Sequence, residues 1–205
     1  GRFLREADLM KGLTHPNIVR VHDLLDLQGI TAYSMDLIEG PSLKEWAAIM
    51  NAQGRQEEVL GLFMQVLAGI GQTHEAGIIH RDLKPGNILV DVSSGAPMAK
   101  IIDFGIAREE AAGPDAEEFE KIRGTAGYIS PDEIRSPNEV CRSSDIYSLG
   151  CVLYELTAGV RPFQNRPARE LLRAHMHERP VLPSEHNPNV HPAVESVILG
   201  MLAKH

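Results

Sequence analysis

The sequence predicts an α+β fold, with short paired strands near the front of the chain and helices over most of the remainder. Three observations point to it. The apolar runs Ile18 to Leu27 and Ile30 to Met35 flank Gln28-Gly29 as the arms of a hairpin. A second pair, Ile88-Leu89-Val90 and Ala99-Lys100-Ile101-Ile102, flanks a polar turn from Asp91 to Pro97. Elsewhere apolar residues recur at helical spacing through long stretches that no strand period fits.

Taken in order, Phe3, Ala7, Met10 and Leu13 share a helical face that ends at His15-Pro16, because proline restricts the residue before it. The two strands follow, and Asp36 to Gly40 connects them to a short helix, Ser42 to Met50, opened by Ser42 or Pro41. Gly54 separates that helix from a longer one, about Glu57 to Glu75, which places Val59, Phe63, Val66, Leu67 and Ile70 on one face. Gly77-Ile78-Ile79 is expected to be a short strand. Asp145 to Ala158 is apolar nearly all round, as a helix buried in the middle of a body should be. Ala168 to His177 is a shorter, more polar helix, and the proline-rich stretch Pro180 to Pro192 leads to a last helical pattern of Val194, Val197, Ile198, Met201 and Leu202. No repeat or low-complexity tract interrupts this order.

The 205 residues, 43% hydrophobic, suffice for one sizeable core. A formal charge of −8 with both signs interspersed argues against a nucleic-acid or anionic-membrane binder. No apolar run reaches the length of a membrane span and no signal peptide opens the chain. Cys141 and Cys151 fit no metal spacing, and a reducing cytoplasm is the expected setting, although a flanking segment could still carry a membrane anchor. His15, His22, His74, His175, His177, His186 and His191 form no zinc pattern and are expected to be polar surface residues.

Chemistry concentrates in His80-Arg81-Asp82-Leu83-Lys84-Pro85-Gly86-Asn87, followed after the second strand pair by Asp103-Phe104-Gly105. Moving a phosphoryl group to a hydroxyl needs a carboxylate to orient the hydroxyl and accept its proton, a cation near the transferred phosphate, and oxygen ligands for Mg²⁺. Asp82, Lys84, then Asn87 with Asp103, supply these in order. Asn87 and Asp103 are hard oxygen donors of the kind Mg²⁺ prefers.

These motifs make the chain resemble a protein kinase, most similar to the soluble Ser/Thr kinase domains that bacteria share with eukaryotes. Gly124-Thr125-Ala126-Gly127-Tyr128 and Ser130-Pro131-Asp132 resemble the peptide-docking loop and A-P-E motif of that family. Ser144-Asp145-Ile146-Tyr147-Ser148-Leu149-Gly150 resembles the opening of the central helix of its large lobe. The resemblance implies a bilobal kinase-like fold, with 1–35 as a small-lobe remnant, 36–40 as the hinge and 41–205 as the large lobe of one incomplete domain. It implies ATP and Mg²⁺ as cofactors and a protein bearing Ser or Thr as partner, since a lysine at position 84 marks Ser/Thr preference in the family.

Residue by residue, the resemblance makes Asp82 the base, Lys84 the phosphate cation, and Asn87 and Asp103 the metal ligands. Glu6 would pair with a strand lysine. No V-A-I-K-like strand and no G-x-G-x-x-G precede Glu6, which leads to the expectation that the domain is cut at both ends and is silent as a fragment. Met35 would be the gatekeeper, the Asp36 carbonyl and Ile38 amide the adenine partners, and Leu89 the floor beneath them. Phe104 and His80 would stack with Met10 and Val21 in a column joining the lobes. Thr125 would bridge Asp82 and Lys84, and Asp145 would accept backbone N–H groups of the loop, holding His80 and Arg81. Asp132 stands where the family has glutamate, which puts its usual arginine pairing in doubt.

Ile106 to Gly124 contains no Ser, Thr or Tyr, although Arg81 belongs to the kinase type that normally neutralises a phosphate there. Glu109, Glu110, Asp115, Glu117, Glu118 and Glu120 crowd it instead, either as a solvated loop or as an acidic latch that replaces a phosphate in part. Two rival readings remain at this level, a pseudokinase acting as a binding module and a small-molecule kinase of related fold.

Overall fold

The computed structural model describes residues 10–27, 30–104, 126–136 and 140–204. A first hairpin pairs β1 (Val21–Leu27) with β2 (Ile30–Met35), antiparallel, with an irregularity between Val21 and Asp23. Helices α1 (Leu43–Ala52) and α2 (Gln56–Glu75) follow. Ser42 is the residue that opens α1: its hydroxyl accepts from the Glu45 amide while the Glu45 carboxylate accepts from the Ser42 amide, a reciprocal cap.

The strand expected at Gly77 to Ile79 is absent. Gly77 adopts φ +77, the Ile78 amide donates to Thr73 O at 2.9 Å and the Gly77 amide to His74 O at 3.2 Å. These are the two bonds of a left-handed helix stop, so the apolar pair closes α2 and lacks a strand partner.

A short 3₁₀ turn, Pro85–Asn87, leads into β3 (Ile88–Asp91), which pairs antiparallel with β4 (Met98–Ile101) from Ile88 opposite Ile101 to Asp91 opposite Met98. Ile88, Val90, Ala99 and Ile101 are buried while Leu89 and Lys100 face the other side, the period-two pattern of a half-buried hairpin. Asn17 to Val19 runs along the β4 edge, with Ile101 N donating to Asn17 O and Val19 N to Ile101 O.

Beyond a second 3₁₀ turn, Ala126–Tyr128, come α3 (Pro131–Arg135), α4 (Arg142–Ala158), α5 (Ala168–His177), α6 (Pro183–His186) and α7 (Pro192–Met201). Helix α4 starts three residues before Asp145, which places that aspartate inside the first turn. Apart from its ends α4 is buried on all sides, packed by α1, α2, α6 and α7, and Gly159 at φ +77 stops it. Leu43, Val66, Ile70, Ile88, Ile101, Leu149, Val152 and Ile198 meet in one apolar cluster, so β3–β4 and the helices share a core. The described residues are mixed helix and strand with helices dominant, as the α+β class predicts. None of their helices is long and apolar enough to cross a membrane.

Candidate active site

The octapeptide is shaped by a carboxylate that lies outside it. Asp145 is 1% exposed; its Oδ2 accepts from the His80 amide at 2.9 Å and its Oδ1 from the Arg81 amide at 3.0 Å. The ring of His74, the penultimate residue of α2, donates from Nε2 to the same Oδ2 at 2.7 Å. Arg81 holds φ +68, a left-handed conformation that costs a non-glycine residue about 1 to 3 kcal/mol, and these buried bonds offset that cost.

His80 is fully buried and its ring lies 4.4 Å, centroid to centroid, from Phe104. Its Nε2 donates to Ile102 O at 3.2 Å and its Nδ1 accepts the Asp82 amide at 3.3 Å. Only the neutral Nε2–H tautomer makes both bonds, and burial holds the imidazole below the ordinary histidine value. Phe104, Met10 and Val21 belong to the same apolar cluster.

From this base Asp82 projects into a small polar group. Its Oδ2 accepts from Lys84 Nζ at 2.7 Å and from Asn87 Nδ2 at 2.9 Å. Asn87 Nδ2 also donates to Asp82 O at 2.9 Å. With the amide nitrogen engaged twice, Asn87 has its carbonyl oxygen, Oδ1, left as the atom for a cation. The hairpin register carries that residue toward Asp103: Ile88 opposes Ile101, and Ile102 N donates to Asn87 O at 2.9 Å. Asp103 itself is exposed, sits at φ +53 and accepts a long bond, 3.4 Å, from the Tyr33 hydroxyl. Burial and the Asp103 charge push the Tyr33 phenol up.

The 36–40 connection ends along the edge of β3 that is not paired with β4. Met35 ends β2 partly exposed, and the Asp36 amide donates to Arg20 O at 3.0 Å while its carboxylate accepts from His22 Nε2 at 2.7 Å. The Asp36 carbonyl and the Ile38 amide make no bond to the described residues. Gly40 approaches β3 so closely that a Cβ would lie 1.9 Å from Val90 O, and the Val90 amide donates to Pro41 O at 2.9 Å. Leu89, half-buried, bridges to Ser42 on the face opposite Ile88 and Val90.

Glu6, Thr125, Gly105 and the acidic stretch from Ile106 to Gly124 lie outside the described residues. The docking segment is described from Ala126 onward. The Tyr128 hydroxyl donates to the buried Glu155 carboxylate, which also meets Lys44 Nζ at 2.8 Å, and Ser148 Oγ donates to Tyr128 O at 2.7 Å. Burial and the Glu155 charge push the Tyr128 phenol up. Asp132 is held locally: Oδ2 accepts from Ser143 Oγ at 3.1 Å and Oδ1 stands 3.6 Å from Arg135 Nη1, one helical turn on.

Two of the histidines expected on the surface are buried instead. His74 completes the Asp145 cluster, and His175 is 0% exposed, its Nδ1 bonded to the Tyr147 hydroxyl at 2.9 Å and its ring edge-on to Phe163. The signal for both is helical period. Val66, Ile70 and His74 are spaced by fours on α2, and Leu171, Ala174 and His175 share the buried face of α5. Tyr33, Glu155 and Lys44 also escaped sequence reasoning, because their partners lie 70, 27 and 111 residues away, at separations no local pattern encodes.

The family described as protein kinase domain matches residues 1–205. Serine/threonine-protein kinase PrkC of Bacillus subtilis is 35% identical over 203 residues, covering 99% of this chain and 30% of its own length. Serine/threonine-protein kinase PknB of Mycobacterium leprae is 34% identical over 209 residues, covering 99% and 32%. The same-named protein of Mycolicibacterium smegmatis is 35% identical over 210 residues, covering 99% and 32%. The chain therefore spans about a third of the length of these curated relatives.

Proposed function

Because this chain belongs to the protein kinase domain family, we propose that it forms the catalytic body of a protein serine/threonine kinase, transferring the γ-phosphoryl of ATP to Ser or Thr hydroxyls of protein substrates. The observation that carries the reading is the Asp82 carboxylate fixed by Lys84 and Asn87 on a buried hydrogen-bonded base. Residues 1–35, 36–40 and 41–205 are the small-lobe portion, hinge and large lobe in this reading. Two free thiols, Cys141 exposed and Cys151 buried, fit action in a reducing cytoplasm.

Asp82 orients the acceptor hydroxyl and takes its proton as the hydroxyl oxygen bonds to the γ-phosphorus and the bond to the β–γ bridging oxygen breaks, releasing ADP. Lys84 places positive charge beside that event. Asn87 Oδ1 and the Asp103 carboxylate are the oxygen donors that would hold Mg²⁺, and their chemistry fits a hard divalent cation. Bound there, the ion would neutralise phosphate charge. The Asp36 carbonyl, the Ile38 amide and Leu89 are left to receive the adenine, with Met35 beside it and Glu6 as the expected partner of a phosphate-binding strand lysine. Arg81, Thr125, Asp132 and Asp145 set the loop and docking segment, Asp145 as a positioning residue.

The test uses the full-length gene product with Mg²⁺, labelled ATP and a generic Ser/Thr protein substrate. Asp82→Asn and Asp103→Ala should each lower turnover by about 100-fold or more while leaving the unfolding midpoint nearly unchanged. Turnover within a few-fold of the parent in either variant would remove the assignment.

A further inference from the structure

A cavity of about 300 Å³ opens beside the docking segment, lined by Ala126, Gly127, Arg161, Phe163, Asn165 and Arg166 with neighbouring backbone and apolar atoms. It contains no catalytic-loop residue, and its Phe163 wall is the ring that meets His175 edge-on. We infer that this cavity receives an acidic side chain, carboxylate or phosphate, of the polypeptide being phosphorylated, close in sequence to the acceptor hydroxyl. The inference rests on the kinase reading of the preceding subsection and adds a substrate class to it.

Position 127 is the first support. A Cβ built on Gly127 would lie 2.7 Å from Arg161 Nη1 and 3.2 Å from Arg161 Cδ, so the Arg161 side chain lies against the docking backbone in space that any other residue would fill. That backbone is rigid, since Tyr128 is tied to Glu155 and Ser148. Arg161 is thereby a fixed charge at the place where a substrate backbone would run.

Charge balance is the second. Among the described residues no Asp or Glu lines the cavity, whereas two arginines do. Arg166 is paired with Glu178 at 2.7 Å and lies over the Phe163 ring. Arg161, half-buried, makes no hydrogen bond or ion pair with any described residue. A guanidinium carries five N–H donors in a planar fork that matches carboxylate and phosphate oxygens, and a partly desolvated one is stabilised by an anion far more than by a neutral group. The cavity wall also includes Ala168, the first residue of α5, whose cap residue Pro167 offers no side chain to the helix amides. Their partial positive charge adds to that of Arg161. A basic substrate residue would meet like charge here, and a neutral one would leave the Arg161 donors unmatched.

The experiment measures kcat/KM of the full-length gene product on peptides with one Ser or Thr in a neutral background. Gln, Glu, phosphoserine or Lys is placed singly at each of the positions flanking the acceptor. At one position or two adjacent ones, Glu and phosphoserine should exceed Gln by about tenfold, mostly through KM, with Lys below Gln. Phosphoserine well above Glu would identify phosphate as the natural group, and equality would identify a carboxylate. Arg161→Glu should invert the Glu-to-Lys ratio at that position, and Arg161→Lys should keep its direction, whereas a merely structural role would shift all peptides together. Transfer to neutral and acidic peptides at equal rates, or a ratio unmoved by Arg161→Glu in a protein that unfolds normally, would overturn the inference alone. No transfer to any peptide or protein would overturn the kinase reading and this inference with it.

Discussion

The two hairpins have the same topology and opposite surroundings. β3–β4 alternates buried and half-buried residues, packs on α1 and α2, and is bonded along an edge by Asn17 to Val19. β1–β2 makes its contacts chiefly with itself, and among described elements none meets it more than slightly. The groups of the candidate site follow this division. Asp82, Asn87 and Asp103 hang from the packed hairpin and the helices behind it, while the first hairpin ends at Met35, where the 36–40 connection begins, and reaches Asp103 through the Tyr33 hydroxyl. The groups of the proposed phosphoryl-transfer site thus sit mostly on the more densely packed side.

The sharpest way to break this contrast is Asp145→Ala. It strands two loop amides and the His74 ring in a buried site and releases the strained Arg81 backbone. Stability should fall by about 3 to 5 kcal/mol in denaturant unfolding, with activity lost in parallel. A midpoint within error of the parent would mean that the loop is held by something else.

Acid should act on the same side. Burial, with the charges of Lys204 and Arg161, pushes the His175 imidazole down to about 3, and burial also lowers His80. Unfolding releases both to ordinary values near 6.5, so the unfolded chain binds more protons below that pH. Stability is therefore fully present above about 6.5 and declines as pH falls from there toward about 3. Thermal melts across that window should show the slope, and His175→Gln should flatten it.

Gly40→Ala probes the seam between the two sides. Its Cβ must displace Val90 O or the connection itself, so a loss of about 1 to 3 kcal/mol is expected, with weakened nucleotide binding measurable by calorimetry. The smallest effect belongs to Lys11→Ala, since its ion pair with Asp23 spans 3.6 Å and Asp23 is 71% exposed. A change below about 0.5 kcal/mol in unfolding would fit a hairpin that stabilises little beyond itself.

The α+β class, both hairpins and most helix limits were legible because they follow from local period and turn chemistry, as at Ser42 and at Asp91 to Pro97. Gly77 to Ile79 was misread since a buried apolar pair looks alike in a strand and in a helix stop. Asp82, Lys84, Asn87 and Asp103 stood out by motif. Their supports did not: His74, Tyr33 and Glu155 acquire meaning only through partners brought close by folding. A polar residue at a core position of a helix is the one trace such partners leave in sequence, and His74 and His175 both left it.

The left-handed turn at Arg81 also bears on the order in which the chain matures. The bonds from the His80 and Arg81 amides run to α4, 65 and 64 residues downstream, so the turn gains this support only once that helix docks. A nascent chain that has emerged only as far as the second hairpin would carry every residue of the octapeptide and still lack its shape. The geometry of the loop is thus completed together with the core. In hydrogen exchange the His80 and Arg81 amides should open only with global unfolding, at the protection of the most buried amides of α4.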